Sequence, residues 1–466
     1  MEILALVLLS VSLLFIAVGV ISAFARSRKF AFISGSVLLA AILLISIILF
    51  AGKSNYEILG FLHIYPFSML FIALFSLAML LIEFMSYDSK NLPGLQLLMG
   101  FALFALVIVP SATSLIIVFI GLELFSVMTS FMILISGSKH VEAAVKFFLL
   151  SAISIALFSV SLALMLPFDG SFALASASSS TAVTGSALLL LALVFFIAAM
   201  SFDTAMFPFN FWVPDVYEGA SANISAMIAG IGKKLAFVVL IEIVIIFFVG
   251  SKSTISPILA VLSVFTMFYG NLAAMVQKKM RRLFAYSSIS QAGYIMIGVA
   301  VATQYGIEAS IVQIIAHAFM IIGAFAIIMW LEERNLTTVN DYEGLVSRNR
   351  FAAISFTLIM LSMAGIPPLL GFYGKLMLFS SAISANMLIL AILGILNSFM
   401  SIYYYGKVIS AMFMQKEQKP IRLPLNIAIV LFVVLFVVVV LGIYPQLVMQ
   451  AASTASSSLF GLLQGA

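Results

Sequence analysis

Charge is scarce in this chain. Of its 466 residues only 8% are Asp, Glu, Lys or Arg, while 64% are hydrophobic. A soluble globular chain is roughly a quarter charged and about half apolar, so a string of soluble domains is excluded. Cysteine is absent altogether. That removes thiolate-held iron–sulfur clusters, Cys-ligated zinc and disulfides. Histidine occurs only at His63, His140 and His317, too far apart for a local metal or haem motif. The expectation is a chain with no metal and no redox centre of its own. No Gly-rich phosphate loop or nucleophile constellation is present. Ser287 and Ser288 in AYSSIS read as helix-packing hydrogen bonders rather than nucleophiles. The net charge of +5 needs no nucleic acid to explain it, because basic residues in membrane proteins mostly report topology.

What fills the chain instead is long apolar runs. Only helices and closed barrels survive in hydrocarbon, and a helical span takes about 20 residues. Continuous rather than alternating runs select helices. Fourteen spans are expected, near 3–24, 31–51, 66–86, 95–111, 113–135, 142–165, 185–206, 223–249, 255–276, 283–303, 306–331, 351–382, 386–412 and 424–452. The first run lacks a basic leader and is read as a retained helix rather than a signal peptide. The twelfth is too long for one straight crossing and holds Gly365, Pro367, Pro368, Gly371 and Gly374, so a broken helix is expected. Pro208 and Pro214 mark a second interruption. The Ser/Ala-rich stretch 166–184 reads as an external connector, and no soluble domain is visible. The layout is an N-terminal block at 1–94, five-span blocks at 95–249 and 255–412, and a C-terminal part at 413–466. An odd number of spans per block forces inverted topology on a repeat, although no residue-level repeat is evident.

Basic residues fix the expected orientation. With the N-terminus outside, the inner loops hold Arg26, Arg28, Lys29, Lys90, Lys139, Lys278, Lys279, Arg281, Arg282, Arg334, Arg348, Arg350, Lys416, Lys419 and Arg422. The outer loops hold only Lys53 and Lys252. Such a bias is what the positive-inside rule produces, and one span more or fewer would scramble it. Both termini are therefore placed on the outer side of what reads as a prokaryotic plasma membrane.

Ionisable residues inside the spans cost roughly 2.5–3.5 kcal/mol each at the bilayer centre. Those singled out are Glu123, Lys146, Asp203, Lys233, Lys234, His317 and Lys375, with Glu242 and Lys407 as weaker candidates. Desolvation and neighbouring charge alter how readily such groups hold protons, and histidine titrates near neutrality, so the set reads as a proton relay. The bland reading is available for some of them. Glu83, Lys407 and Lys146 lie near span ends, where long side chains can snorkel to the interface. Glu242, eight or nine residues beyond the lysine pair, could be only a counter-ion. Lys233, Glu123 and Lys375 are several turns from an obvious span end.

Five segments carry a resemblance: EAAVKFFLLSA at 142–152, PFNFWVPDVYEGA at 208–220, RRLFAYSSISQAGY at 281–294, LSMAGIPPLLGFYGKL at 361–376 and, more weakly, YYYGKV at 403–408. Together, over about residues 95–412, they resemble the antiporter-like membrane subunits of respiratory complex I, and among those the N-type chains of NADH:quinone oxidoreductases. The resemblance implies an all-α fold of about fourteen transmembrane helices with two inverted five-helix repeats and broken helices. It implies relay roles for Glu123, Lys233 with its neighbour Lys234, Lys375 and Lys146. It implies other membrane subunits as partners, which would carry quinone, iron–sulfur clusters and flavin. One position departs from the pattern. Eleven residues before the Pro-Asp of the PDVYEGA motif the family usually has a lysine, and here stands Asp203. The usual Phe-His is Phe209-Asn210. A Glu123–Asp203 pair repels if both are ionised, so the expectation is a shared proton or neutralisation through Lys146. Two other functions stay open at this point: a subunit of a multisubunit cation/proton antiporter or membrane-bound hydrogenase, and a non-conducting scaffold, for which Asp203 is the best support.

Overall fold

The computed structural model describes residues 2–89, 91–136, 140–169, 172, 174, 187–248, 252–414 and 419–463. The expected inner-loop lysines Lys90, Lys139 and Lys416, and most of the expected connector 166–184, lie outside the described residues. The helices are α1 (Glu2–Ala25), α2 (Arg28–Ala51), α3 (Pro66–Met85), α4 (Leu92–Ile108), α5 (Leu115–Ile135), α6 (Val141–Asp169), α7 (Ala187–Thr204), α8 (Trp212–Gly219), α9 (Ala222–Met227), α10 (Lys233–Phe248), α11 (Lys252–Met275), α12 (Met280–Val301), α13 (Gln304–Glu332), α14 (Arg350–Ala364), α15 (Leu370–Ser384), α16 (Leu388–Phe413), α17 (Leu425–Leu435) and α18 (Gln446–Gly461).

Among the described residues twelve helical stretches are long and apolar enough to cross a membrane. The other two expected spans are interrupted. The one at 223–249 is α9, a π-helical turn at Ile228–Gly232, then α10. The one at 351–382 is α14 and α15, with Gly365–Leu369 between them. The last expected span, 424–452, is too long as drawn. Its helix ends at Ile443, and α18 starts afresh at Gln446, because Pro445 cannot donate to the preceding turn. An element not expected from the sequence is a small antiparallel hairpin, β1 (Tyr56–Ile58) and β2 (Leu62–Ile64). Its tip is held where Thr113 donates from N to Phe61 O and from Oγ1 to Gly60 O.

The chain divides into two compact units. The first comprises Met1–Thr204, Ile231–Ile255 and Ser453–Ala466, the second Ala205–Gly230 and Ser256–Ala452. Lipid tails are as apolar as leucine, so helices in a bilayer associate by close packing and interhelical hydrogen bonds. In the first unit, the Gln96 side chain of α4 accepts from Ser22 Oγ of α1 at 2.6 Å and donates to Ala31 O of α2 at 2.6 Å. Ser154 and Ser161 of α6 hydrogen-bond to Ala199 O and Ala192 O of α7. In the second unit Ser263 Oγ of α11 donates to Gly293 O of α12, and Asn271 of α11 donates to Asn397 of α16. At its loop end, α8 is clamped to the start of α12. Arg281 grips the Glu332 carboxylate and reaches the carbonyls of Tyr217, Glu218 and Ala220. Lys279 and Arg282 both pair with Glu218, and Arg282 also with Asp215. Burial pushes the Glu218 carboxyl up, but the hydrogen bonds and charges of Lys279 and Arg282 outweigh it and hold it below its usual range. The two most polar of the resembling motifs are thus one ionic clamp.

Candidate functional site

In the first unit, α5, α6 and α7 bring the acidic pair together. Asp203 is near the end of α7, and its Oδ2 lies 2.9 Å from Ser154 Oγ. The same hydroxyl is 2.9 Å from Ala199 O, and with one proton to give it serves one acceptor at a time. Glu123 of α5 lies within electrostatic reach of Asp203, and its Oε2 is buried with no hydrogen-bond partner. Two facing carboxyls hold one proton between them more readily than two charges. Lys146 forms an ion pair with Glu142 one turn away on α6, at 2.8 Å, with 42% of its side chain exposed. The hydrogen bond to Asp203 comes instead from Ser154.

Lys233 and Lys234 open α10 directly after the π-helical turn, and both are buried. An inserted residue of this kind pushes backbone groups out of register and recurs at functional sites. Gly232 lets the turn approach α5, since a Cβ there would lie 2.9 Å from the Phe125 ring. Further along α10, Glu242 is 3% exposed and accepts a hydrogen bond from the Tyr65 hydroxyl at 2.6 Å. It is held by a neutral partner at its far end from the lysines. Glu83, treated above as a possible snorkelling residue, is 1% exposed, with Ser36 Oγ at 3.4 Å and Oε1 unpartnered. It is a buried carboxyl.

The second unit is organised around Lys375, one turn into α15 after the break. Gly365 ends α14 in the left-handed region, φ +90°, which a residue with a Cβ adopts only at a cost. This exposes the last carbonyls of α14. Lys375 Nζ donates to Met363 O at 2.8 Å, to Ala364 O at 3.1 Å and to Ser398 Oγ at 2.9 Å, and sits 4.5 Å from the centre of the Tyr294 ring. Both carbonyls have second partners: Gln291 donates to Met363 O and Ser398 to Ala364 O. The ammonium can therefore give up a proton without orphaning them. Gln313 of α13 donates to Gln291 at 2.8 Å, and His317, fully buried, is one turn further on the same helix. Tyr294 donates to Asn397, which also accepts from Asn271, and Tyr404 donates to Asn271. Lys407 is exposed on α16.

Gln291, Gln313, Asn271, Asn397 and Tyr294 were not singled out from sequence. Neutral amides and phenols give no charge signal, although two of them lie inside the RRLFAYSSISQAGY motif. Tyr65 was missed for the same reason. Among the described residues no three His, Asp or Glu side chains gather as a metal site.

Residues 112–401, about half of the first unit and most of the second, match the family described as NADH:quinone oxidoreductase/Mrp antiporter, TM. The chain belongs to this family. Subunit N of the NADH-quinone oxidoreductase of Desulforamulus reducens is 35% identical over 366 residues, covering 77% of this chain and 76% of that one. The F(420)H(2) dehydrogenase subunit N of Methanosarcina mazei is 32% identical over 391 residues, covering 80% of this chain and 79% of that protein. Among solved structures, a chain of respiratory complex I from Thermus thermophilus superposes with TM-score 0.83 at 26% identity, over 96% of this chain and 99% of its own. A chain of the archaeal membrane-bound sulfane sulfur reductase gives TM-score 0.91 at 21% identity, over 100% of this chain and 99% of its own, a likeness of fold. The family match thus spans residues 112–401, and the likeness of fold extends over nearly the whole length.

Proposed function

We propose that this family member is a proton-translocating membrane subunit of a complex I-like, quinone-reducing assembly. Electron transfer runs through partner subunits, which hold the quinone, iron–sulfur and flavin groups, and this chain supplies no redox or bond-making chemistry. Protons move from the inner to the outer side, both termini lying outside. Residues 95–249 and 255–412 act as the two inverted repeats, each with its relay.

The observation that carries this reading is the placement of buried lysines at helix interruptions: Lys233 after the π-helical turn and Lys375 after the Gly365 break. Interrupted helices in transporters free backbone groups near the midplane. Around Lys375 those groups stay satisfied with or without the ammonium proton. A residue that tolerates both protonation states serves a relay, whereas one needed only as a fixed charge has no use for second partners. Glu123 and Asp203 form the carboxyl end of the first relay, with Lys233 and Lys234 its lysine end. In the second unit His317, Gln313 and Gln291 lead to Lys375. Lys146, Glu242 and Lys407 complete the titratable set.

The test is to isolate the assembly from its native membrane in mild detergent and identify the companions by mass spectrometry. Iron–sulfur and quinone-site subunits are expected. Recovery with antiporter-type membrane subunits alone would move the reading to a cation/proton antiporter, and sodium-dependent transport would accompany it.

A further inference from the structure

At one end of the first unit a cavity of about 550 Å³ is bounded by the β1–β2 hairpin, the start of α3, the α4–α5 junction and the end of α18. Lys53 and Glu57 at its rim are exposed. His63, Thr113 and Ser458 give it a polar wall, and Tyr65 is part of its floor. Tyr65 itself is 4% exposed. Its ring stacks on His63, centroids 4.9 Å apart and 14° from parallel, and His63 Nε2 is 2.5 Å from Asn55 Oδ1. The Tyr65 hydroxyl donates to Glu242 Oε1 at 2.6 Å. Ile246, one turn beyond Glu242 on α10, also lines the cavity, so that face of α10 runs from the carboxyl to the cavity wall. Tyr65 thus both lines a space of many water volumes and hydrogen-bonds a carboxyl buried in the unit.

Nothing in packing requires this arrangement. A buried carboxyl is costly unless it is hydrogen-bonded, and an apolar side chain at position 242 would avoid that cost. The hydroxyl–carboxyl distance lies within the range for direct proton transfer. Glu242 lies nine residues after Lys233, about 14 Å along the helix at 1.5 Å per residue, toward the end that the basic-residue distribution assigns to the outer side.

We propose that Glu242 and Tyr65 are the final proton-transfer pair of the first unit and release protons into this cavity. The proposal rests on the proton-translocating reading above. The Tyr65 hydroxyl turns to donate to a cavity water while the protonated Glu242 donates to its oxygen. The Glu242 O–H bond then breaks as a new bond forms to the Tyr65 oxygen, and the original Tyr65 O–H bond breaks as that proton joins the water. The products are a carboxylate, a neutral phenol and a hydronium ion. Rotation of the hydroxyl back onto Glu242 restores the observed hydrogen bond.

The experiment uses the whole assembly in sealed vesicles, reading protons moved per electron, with assembly checked on native gels. Lys233→Ala sets the loss that follows when the first relay is cut. Tyr65→Phe and Glu242→Gln, both close in shape to the originals, are expected to reach at least half of that loss. If Lys233→Ala lowers the ratio and both other variants pump as the parent does, the exit assignment is overturned and the functional reading stands. If Lys233→Ala leaves the ratio unchanged, both fall. A third variant, Glu57→Cys, exploits a chain with no cysteine of its own. A membrane-impermeant thiol reagent is expected to lower its ratio further, relative to the treated parent, only when added from the outer side. Inhibition only from the inner side, or modification without inhibition, overturns the proposal.

Discussion

Replacing Lys375 with methionine tests the second relay most directly. The change removes three hydrogen bonds, from Nζ to Met363 O, Ala364 O and Ser398 Oγ, each worth about 0.5–1.5 kcal/mol net. It orphans neither carbonyl, because Gln291 and Ser398 remain on them. It also removes a buried amine whose charged form costs several kcal/mol to desolvate. The structural loss is therefore about 1–3 kcal/mol, inside the 5–15 kcal/mol by which folded proteins are usually stable, and the variant assembles. The functional loss is larger. A proton crossing an apolar methionine must do so without a group to receive it, at a cost of about 2.5–3.5 kcal/mol on insertion scales. That slows passage about 100-fold. In inverted vesicles, donor oxidation and quenching of a pH-sensitive dye give protons per electron, from which this relay's share should vanish. Lys375→Arg should fail as well, since a guanidinium does not deprotonate. An assembled Lys375→Met variant with the parent ratio would refute the relay. A normal ratio in Lys375→Arg alone would show that a fixed charge suffices.

Three further outcomes follow from the same contacts. Asp203→Asn keeps a hydrogen-bonding partner for Ser154 but cannot release a proton, so assembly should persist while pumping falls at least tenfold through the first unit; vesicle dye quenching reads this. Gly365→Ala forces a Cβ into φ +90°, 3.0 Å from Lys375 Cδ, and should cost about 1–2 kcal/mol, seen as a lower Tm in detergent together with impaired pumping. The Glu218 carboxyl is held below its usual range by Lys279 and Arg282. Its stabilisation is full above the unfolded value near about 4.3 and is lost as pH falls through the folded value. Glu218→Gln should lower Tm at neutral pH, by about 1 kcal/mol at most given solvent screening, and flatten that part of the acid loss in a pH series.

The spans were legible because hydrocarbon leaves the backbone so few options: twelve appear as helical stretches long and apolar enough to cross among the described residues, and prolines and glycines flagged the break before Lys375. The π-helical turn before Lys233 was not legible, because IAGIG is compatible with an ordinary helix and the extra residue is fixed by packing such as Gly232 on Phe125. The end of the last span was misplaced because hydropathy stays high past Pro445. Charged candidate residues stood out against an apolar background, but their partners did not. Ser154, Ser398, Gln291 and Tyr65 are common residue types whose importance depends on which side chain they face. Lys146 shows the converse, since its charge and motif drew attention while the structure pairs it with Glu142 in a half-exposed position.

The two units solve the burial of titratable groups differently. Around Lys375 the partners are two neutral carbonyls and a hydroxyl, each with a second hydrogen bond, so the lysine's charge can change without orphaning them. Around Asp203 the hydrogen-bond partner is the Ser154 hydroxyl, the neighbouring titratable group is another carboxyl, and one oxygen of Glu123 has no hydrogen bond. A carboxyl pair has its lowest cost with a single proton shared, and either loading a second or removing the last is resisted. Lysine at position 203, the usual residue of the family, would instead form a salt bridge that holds both charges in place. In the proposed relay, Asp203 replaces an ion pair that must be broken to pass a proton with a pair that holds one. If this substitution tunes the relay, Asp203→Lys should keep the assembly intact and slow proton transfer, because the new ammonium locks Glu123 in its ionised form. Faster transfer in that variant would mean that the acidic pair is a defect tolerated by the assembly.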